Sequence, residues 1–317
     1  MEKVLVLGAT GGTGKALVQE LMARGIATIA FGRNQGALEI LAKELGNPKK
    51  LELALGDVFK WESIRDAAKT ADIIFQAANV PYQEMAAKSL LLAESVMKAA
   101  EANSQKIVFV DGIYVYGPNP GYAVEESYPR KPNSKKGKIR IEMENLIFSD
   151  RWKQSKPLIV RLPDYYGPSS KNAYLNPTLE GLAFGKTALF IGDTSVKREY
   201  IYLPDAAKMI VNLASRESSY GRNWNVPGQV ISAKEIVKIA KQTTGKRTFL
   251  IPVGKITLVL AGIFDSFLRE VVEMMYLTKD PLVLSGAQYE REIGAIPKTP
   301  FEKGLKETFE FIQSNKR

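Results

Sequence analysis

The sequence of 317 residues contains no cysteine and no histidine. Without cysteine there can be no disulfide bond, no thiolate nucleophile and no cysteine-ligated zinc. Without histidine the chain lacks the commonest general base, the Ser-His-Asp triad and the commonest metal ligand of proteins. We therefore predict no metal site, and any proton transfer has to use Tyr, Lys, Asp, Glu, Ser or bound water.

Long apolar runs are also scarce. The N-terminal MEKVLVLGAT has too short an apolar run before its glycines for a signal peptide, and the stretch 256–268 is interrupted by Gly262 and Asp265. The formal net charge of +10 favours anionic partners, but it is spread widely and accompanies no recognised nucleic-acid motif. These features predict a cytoplasmic protein with no nucleic-acid partner and no membrane partner.

Short apolar runs alternate with helical patterns in the first half of the chain. Runs near 4–8, 26–31, 51–55, 72–78, 107–110 and 157–162 are almost continuously apolar, as in a parallel sheet whose two faces are covered by helices. The pattern predicts a doubly wound α/β fold. After Asp111 it loosens into a loop rich in Gly, Pro, Asn and Tyr, then a helix near 137–153. From about Ile231 it becomes helix-rich.

A glycine-rich turn follows the first predicted strand in VLVLGATGGTGKAL. Glycines let a backbone approach a pyrophosphate closely, and the N-terminus of the following helix offers unpaired N–H groups. Ala16 follows Lys15, so the order of an ATP-binding P-loop is absent. We predict that this turn binds a dinucleotide through Gly8, Thr10, Gly11, Gly12, Thr13 and Gly14.

The second predicted strand runs into Gly32-Arg33-Asn34, where an NAD-binding unit would carry Asp or Glu for the ribose 2′-OH. A guanidinium there can hold a 2′-phosphate, so Arg33 and Asn34 favour NADP(H), with NAD(H) as the alternative. Arg33 as a simple surface charge is the competing interpretation. After the third strand, Asp57 and Val58 are predicted to face the adenine, and a purely turn-forming Asp57 is equally compatible with the pattern.

Further motifs occur in a characteristic order, and together they resemble the extended short-chain dehydrogenase/reductase superfamily, the NAD(P)-dependent epimerase/dehydratase group. The resemblance covers nearly the whole chain. It is carried by GATGGTG, by Gly56-Asp57, by Phe75 to Asn79, by Val115-Tyr116-Gly117, by Arg161 with Tyr166-Gly167-Pro168, and by Arg198 to Ala206. It implies an NAD(P)-binding Rossmann fold with a smaller helix-rich C-terminal substrate lobe, and it adds Ala77, Ala78 and Asn79 to the predicted cofactor contacts.

The resemblance predicts two units. The NADP-binding domain is expected over 1–165, with 193–230 returning to it, and the smaller substrate-binding or cap lobe over 166–192 and 231–317. A homodimer through a four-helix interface is a further expectation from the family.

The chemistry of the family implies a Ser or Thr three residues before VYG and a YxxxK pair on the next helix. The corresponding residues here are Gly112, Ser134 and Lys138, so the lysine is retained and both hydroxyl-bearing residues are absent. Lys138 is predicted to hold the nicotinamide ribose, with a solvated helix charge as the alternative. Its basic neighbours Lys135, Lys136 and Arg140 are predicted to be solvated.

Proton transfer is then assigned to Tyr114 or Tyr165, each with a packing role as the alternative. Substrate contacts are predicted for Tyr82, Asp164 and Arg198, where Arg198 would meet a substrate phosphate or form a surface ion pair. Two functions stay open. One is an NADP(H)-dependent oxidoreductase or epimerase acting on a hydroxyl or carbonyl centre of a small molecule or nucleotide sugar. The other is a catalytically silent NADP(H)-sensing regulatory protein.

Overall fold

The strands of the computed structural model, which describes residues 1–315, are short and mostly buried. Twelve of them lie within that range: β1 (Lys3–Leu7), β2 (Ala27–Gly32), β3 (Leu51–Leu55), β4 (Ile73–Gln76), β5 (Lys106–Gly112), β6 (Lys156–Leu162), β7 (Asp164–Tyr166), β8 (Ala188–Ile191), β9 (Lys197–Tyr202), β10 (Asn223–Asn225), β11 (Gln229–Ser232) and β12 (Leu250–Val253).

Thirteen α-helices lie in the same range: α1 (Gly12–Ala23), α2 (Gln35–Glu44), α3 (Trp61–Ala68), α4 (Met85–Ala102), α5 (Lys135–Ile147), α6 (Asn176–Phe184), α7 (Leu203–Ala214), α8 (Ala233–Thr244), α9 (Lys255–Ala261), α10 (Ser266–Glu273), α11 (Tyr276–Lys279), α12 (Ala287–Glu292) and α13 (Phe301–Asn315). Short 3₁₀ turns cover Tyr82–Glu84, Tyr114–Tyr116 and Glu217–Ser219.

The central sheet has seven strands in the order β10-β6-β5-β4-β1-β2-β3, and every neighbouring pair is parallel. Because successive strand residues point to opposite faces, each strand contributes side chains to two hydrophobic cores, one on each face of the sheet. Val4 and Val6 pack with α1, α2 and α7 on one face, whereas Leu5 and Leu7 pack with α3, α4 and α5 on the other. The predicted doubly wound Rossmann fold is confirmed.

Two smaller sheets lie outside the central one. The first joins β11, β9 and β7, and the second pairs β12 with β8. Helices dominate from α8 onward, as predicted for the C-terminal part. The proposed division into 1–165 with 193–230, and 166–192 with 231–317, stays a prediction, and its last residues Lys316 and Arg317 lie outside the described range.

The predicted boundaries differ most for the helix expected near 137–153. It begins at Lys135, because the Ser134 hydroxyl accepts a hydrogen bond from the Gly137 N–H at 3.0 Å and so caps its N-terminus. It ends at Ile147, before Ser149 and Asp150, residue types that favour turns. Within residues 1–315, no helix is long and apolar enough to cross a membrane.

Candidate functional site

The glycine-rich turn after β1 needs glycine for steric reasons. Gly8 has φ +71°, and a Cβ at this position would lie 2.6 Å from the Ala78 Cα. A Cβ on Gly14 would lie 2.1 Å from the Gly8 carbonyl oxygen. Helix α1 begins at Gly12, and its N-cap Gly11 provides no side-chain cap. The first N–H groups of α1 are therefore free to bind an anion, which the helix dipole also favours.

This turn opens into a cleft of about 660 Å³ at the carboxyl ends of the central strands. The strand order reverses between β1 and β4, which is where open α/β sheets bind ligands. Among the predicted cofactor contacts, the cleft is lined by Gly8, Thr10, Gly11, Gly12, Thr13, Arg33, Val58, Ala77, Ala78 and Asn79. Gly14 supports the turn from within α1. The residues present thus fit a dinucleotide.

At the end of β2, the exposed Arg33 lines the cleft and forms no salt bridge with any described residue. Asn34 instead caps α2, where its Oδ1 accepts a hydrogen bond from the Ala37 N–H at 3.0 Å. Asp57 accepts a hydrogen bond from the Phe59 N–H at 3.1 Å, which is the turn-forming role that the sequence left open. Neither Asn34 nor Asp57 lines the cleft, so their predicted cofactor contacts stay predictions.

An aromatic cluster forms the other half of the cleft. The Tyr82 and Tyr114 hydroxyl groups lie 2.5 Å apart, and the Phe267 ring of α10 stacks on Tyr82 with a centroid distance of 6.0 Å. Tyr174 packs against both Tyr82 and Phe267. Burial raises the pKa of Tyr114 well above its ordinary value, and the neighbouring tyrosines raise it further. Tyr114 is thus a protonated phenol at neutral pH.

Asp164 and Tyr165 begin β7 beside this cluster and line the cleft. Burial raises the pKa of Asp164, although the Asn172 amide, which donates to its Oδ1 at 3.1 Å, works in the opposite direction. Burial, together with the Asp164 charge, raises the pKa of Tyr165 to about 12. Tyr165 is therefore also protonated at neutral pH.

Arg198 on β9 also lines the cleft but is only 7% exposed, so the alternative of a surface ion pair is wrong. Its guanidinium donates a hydrogen bond to the Ile191 carbonyl at 2.7 Å and lies 4.6 Å from the Phe190 ring centroid. The site therefore holds a buried positive charge near Asp164.

The inward face of α5 differs from the predicted one. Arg140, Met143, Glu144 and Ile147 line the cleft, and Lys136, one turn before Arg140, is 2% exposed. Ser134 precedes the helix as its N-cap, and Lys138 lies on the exposed face, away from the cleft. The structure thus places Lys138 as the alternative had it, a solvated helix charge, and not at the cleft. Arg140 lines the cleft, and Lys136 is buried in ion pairs with Glu270 and Glu273 of α10. The prediction that these two residues are solvated is therefore wrong.

Arg140 belongs to a buried charge network beneath the cleft. Its Nε lies 3.2 Å from Asp111 Oδ1, and the fully buried Arg161 lies 3.3 Å from Asp111 Oδ2 and 2.7 Å from Glu144 Oε2. Burial favours the neutral form of Glu144, but the Arg130 and Arg161 guanidinium groups outweigh this effect and lower its pKa. The network keeps Arg140 pointed at the cleft and Glu144 ionised.

A family model decides the classification. The model described as the NAD dependent epimerase/dehydratase family matches residues 4–227, which include the glycine turn, Gly112, α5 and Arg198. The chain belongs to this family. Dependence on NAD(P) is accordingly established at the level of the family.

Three similar proteins illustrate the membership. The dTDP-D-glucose 4,6-dehydratase of Mus musculus is 23% identical over 227 residues, which cover 69% of this chain and 59% of the dehydratase. The chain thus spans about three fifths of that relative's length. The UDP-glucose 4-epimerase of Mycolicibacterium smegmatis is 26% identical over 74% of this chain and 80% of the epimerase. The solved UDP-glucuronic acid 4-epimerase of Bacillus cereus shares the fold, with a TM-score of 0.80, 16% identity and coverage of 99% and 100% of the two chains.

Against this family pattern, the sequence alone missed several cleft residues. Arg140, Glu144 and Asp111 carry charges but were not assigned to the site. Two features could have revealed them. Positions 136, 140, 143, 144 and 147 have the spacing of one helix face. In addition, Asp111 pairs directly with Arg161 in the parallel register of β5 and β6. Gly112, which the resemblance aligns with the family's Ser or Thr, does line the cleft. Within residues 1–315 no group of three or more acidic side chains is arranged to hold a metal ion.

Proposed function

We propose that this protein is an NADP(H)-preferring oxidoreductase or epimerase that acts on a hydroxyl or carbonyl centre of a small molecule, with nucleotide sugars as the first substrate class to test. The observation that carries the proposal is the single cleft in which the glycine turn meets Tyr114, Tyr165 and Arg140. When bound, the nicotinamide group supplies or accepts a hydride. The side chains described above then hold the substrate and move its proton.

Proton donation is assigned to Tyr114, with Tyr82 behind it. The raised pKa of Tyr114 keeps its hydroxyl protonated, which suits donation to a developing alkoxide. The Tyr82 hydroxyl, 2.5 Å away, can return a proton to it. Arg140 supplies a permanent positive charge from the inward face of α5, in the role predicted for Lys138.

The substrate class is inferred from the relatives and from charge. The similar enzymes are named for UDP-glucose, UDP-glucuronic acid and dTDP-D-glucose, all of which carry a diphosphate. Arg198 and Lys171 both line the cleft, and each can attract such an anion.

The test is NADPH turnover by the full chain with a panel of nucleotide sugars and simple carbonyl compounds. We expect turnover with at least one compound, and Tyr114→Phe should lower kcat about 100-fold because the proton donor is lost. Tyr122→Phe is the matched control, since that ring is 62% exposed. If the dinucleotide binds but no compound is turned over, and neither Tyr114→Phe nor Tyr165→Phe changes binding, the enzymatic proposal is wrong.

The cofactor preference has its own test in Arg33. The similar epimerase of Bacillus cereus was solved in complex with NAD, so NADP(H) preference would be a property of this chain's own residues. We expect Arg33→Asp to reverse the NADPH/NADH affinity ratio, because a carboxylate repels the 2′-phosphate and accepts the 2′-OH. Isothermal titration with both cofactors measures the ratio. Lys69→Asp, another exposed cation, is the control, and a ratio unchanged in Arg33→Asp contradicts the preference.

A second candidate is the silent NADP(H)-sensing protein. It is favoured by Gly112, which has no side chain, and by α5, whose thirteen residues include no tyrosine. The sensor predicts tight NADPH binding without turnover, together with a change in protection of α10, whose Phe267 lines the cleft. Hydrogen exchange with and without NADPH, alongside the turnover assay, separates the two functions.

A further inference from the structure

The segment 249–264, which contains β12 and α9, carries an unusual density of exposed apolar side chains. Of the fourteen large apolar side chains that are exposed within residues 1–315, seven come from the sixteen residues 249–264. They are Phe249, Ile251, Ile256, Val259, Leu260, Ile263 and Phe264, with Phe264 93% and Ile256 78% exposed. We call these seven residues the α9 surface. A cluster of this kind marks an interaction site more often than chance exposure does.

The α9 surface is held outward by specific contacts. Leu258 is the buried side chain of α9, and the Arg269 Nε of α10 donates to the Gly262 carbonyl at 3.2 Å. Helix α10 is in turn tied to α5, because Lys136 forms ion pairs with Glu270 and Glu273. The apolar side chains of α9 therefore face solvent because the opposite side of the helix is fixed to the protein.

The charge around this surface is mainly positive, although the exposed Asp265, the N-cap of α10, directly follows Phe264. Residues 236–264 contain five basic side chains and no acidic one. The basic residues are Lys238, Lys241, Lys246, Arg247 and Lys255, and all five are exposed. Lys246 and Arg247 come just before Phe249, and Lys255 begins α9. Apolar side chains beside exposed Lys and Arg are the pattern of segments that insert shallowly into an anionic bilayer.

We propose that the α9 surface docks on an anionic lipid bilayer. The apolar side chains would enter the boundary between headgroups and acyl chains, and the basic side chains would lie against the lipid phosphates. A second copy of this chain is a poorer partner, because a two-fold contact through the same patch brings the basic residues of both copies together. The proposal differs from the sequence-based prediction of no membrane partner, which considered only a segment long enough to span.

Vesicle binding by the full chain tests the proposal. We use vesicles of phosphatidylcholine alone, and vesicles of two parts phosphatidylcholine to one part phosphatidylglycerol. The chain should co-sediment with the anionic vesicles and not with the neutral ones, and added salt should weaken binding because it screens the charges. Binding equal on both vesicles, or absent from both, overturns the proposal.

Two pairs of variants resolve the apolar and the electrostatic parts. Ile263→Ser with Phe264→Ser should weaken binding at least about tenfold through lost apolar burial, whereas Ile40→Ser with Leu91→Ser, each wild-type side chain being 61% exposed, should not. Lys246→Glu with Arg247→Glu should weaken it at least about 30-fold, whereas Lys49→Glu with Lys69→Glu should not. All these positions are exposed, and a thermal melt checks that each variant is folded.

Sedimentation velocity without vesicles tests whether a second copy of this chain is the partner instead. If the chain self-associates, and Ile263→Ser with Phe264→Ser abolishes the association while vesicle binding is absent, the surface belongs to a second copy and the lipid proposal is wrong. Equal weakening by the control variants would also overturn it.

Discussion

At the scale of single residues, Gly112 offers a direct test of the predicted match to the family's Ser or Thr position. It ends β5 and lines the cleft, and a Cβ built on it meets no atom within 4 Å. A serine therefore fits without displacing a neighbour, and its hydroxyl would stand where the family pattern places one. The backbone at Gly112 thus accommodates the hydroxyl that the resemblance predicts there.

We expect Gly112→Ser to raise kcat/KM about tenfold, because an added hydroxyl can donate a hydrogen bond to the developing oxyanion. Gly112→Ala is the matched control, since it adds the Cβ without the hydroxyl. Steady-state kinetics with the substrate found in the panel measures the effect. Equal rates in the Ser and Ala variants would contradict a role for the hydroxyl.

Single residues also show where the sequence is informative. Arg33 and the glycine turn could be placed because a strand, a turn and a helix start follow one another in the chain. Lys138 could not be distinguished from Lys136 and Arg140, because four basic residues fall within six positions and only the start of the helix fixes which ones face inward. That start depends on the Ser134 cap, and the resemblance matches this same residue to the family's tyrosine.

At the scale of elements, α5 and α10 are joined by charge. Lys136 is 2% exposed and its Nζ lies 2.7 Å from Glu273 Oε2, with Glu270 as a second partner. Glu273 also accepts a hydrogen bond from the Lys135 N–H at the N-terminus of α5, where the helix dipole favours a carboxylate. Because α10 carries Phe267, these contacts position one wall of the cleft.

Removing the lysine charge should loosen α10. We expect Lys136→Met to lower the free energy of unfolding by about 1–3 kcal/mol, less than for a fully buried pair because both carboxylates are partly exposed. Urea unfolding measures the loss, and hydrogen exchange should increase in residues 266–273. Lys138→Met, on the exposed face of the same helix, is the control and should change neither.

The outcome that contradicts this link is equal destabilisation by both methionine variants. A double-mutant cycle isolates the ion pairs, because Lys136→Met should lower the free energy of unfolding by less when Glu270 and Glu273 are already Gln. The sequence could not have predicted this link, because Glu270 and Glu273 lie 134 and 137 residues from Lys136 along the chain and no short-range pattern connects them.

At the scale of the whole molecule, the central sheet was predictable and the smaller sheets were not. Six of its seven strands are apolar runs separated by helices, so their parallel order follows from alternation alone. The seventh, β10, is the polar Asn223–Asn225, which the apolar pattern does not indicate. By contrast, β8 pairs with β12, far along the chain, and β9 lies between β7 and β11. These strands have three to six residues, and their pairing depends on tertiary contacts rather than on local pattern.

Glu199 ties three distant parts of the molecule together. It lies on β9, is 4% exposed, and accepts hydrogen bonds from the Gly228 N–H at 2.8 Å and the Leu284 N–H at 2.9 Å. Burial raises its pKa to about 7, although the two N–H groups act in the opposite direction. The folded protein therefore holds a proton on this carboxyl at pH values where the unfolded chain has released it.

This difference predicts how stability depends on pH. A folded-state pKa above the unfolded one stabilises the protein fully below the unfolded pKa, and the contribution is lost as pH rises through the folded pKa. The contribution of Glu199 to the free energy of unfolding should thus fall by up to about 3 kcal/mol between about pH 4.5 and about pH 7. In Glu199→Gln the amide does not titrate, so this fall should disappear, whereas Glu142→Gln on the exposed face of α5 should retain it. The quantity to compare between variants is the slope of the free energy of unfolding against pH. The Gln amide places an N–H group against one of the two backbone N–H donors, and this loss of stability is equal at every pH. Urea unfolding across this range measures it, and a wild-type slope in Glu199→Gln would mean that Glu199 is already ionised in the folded state.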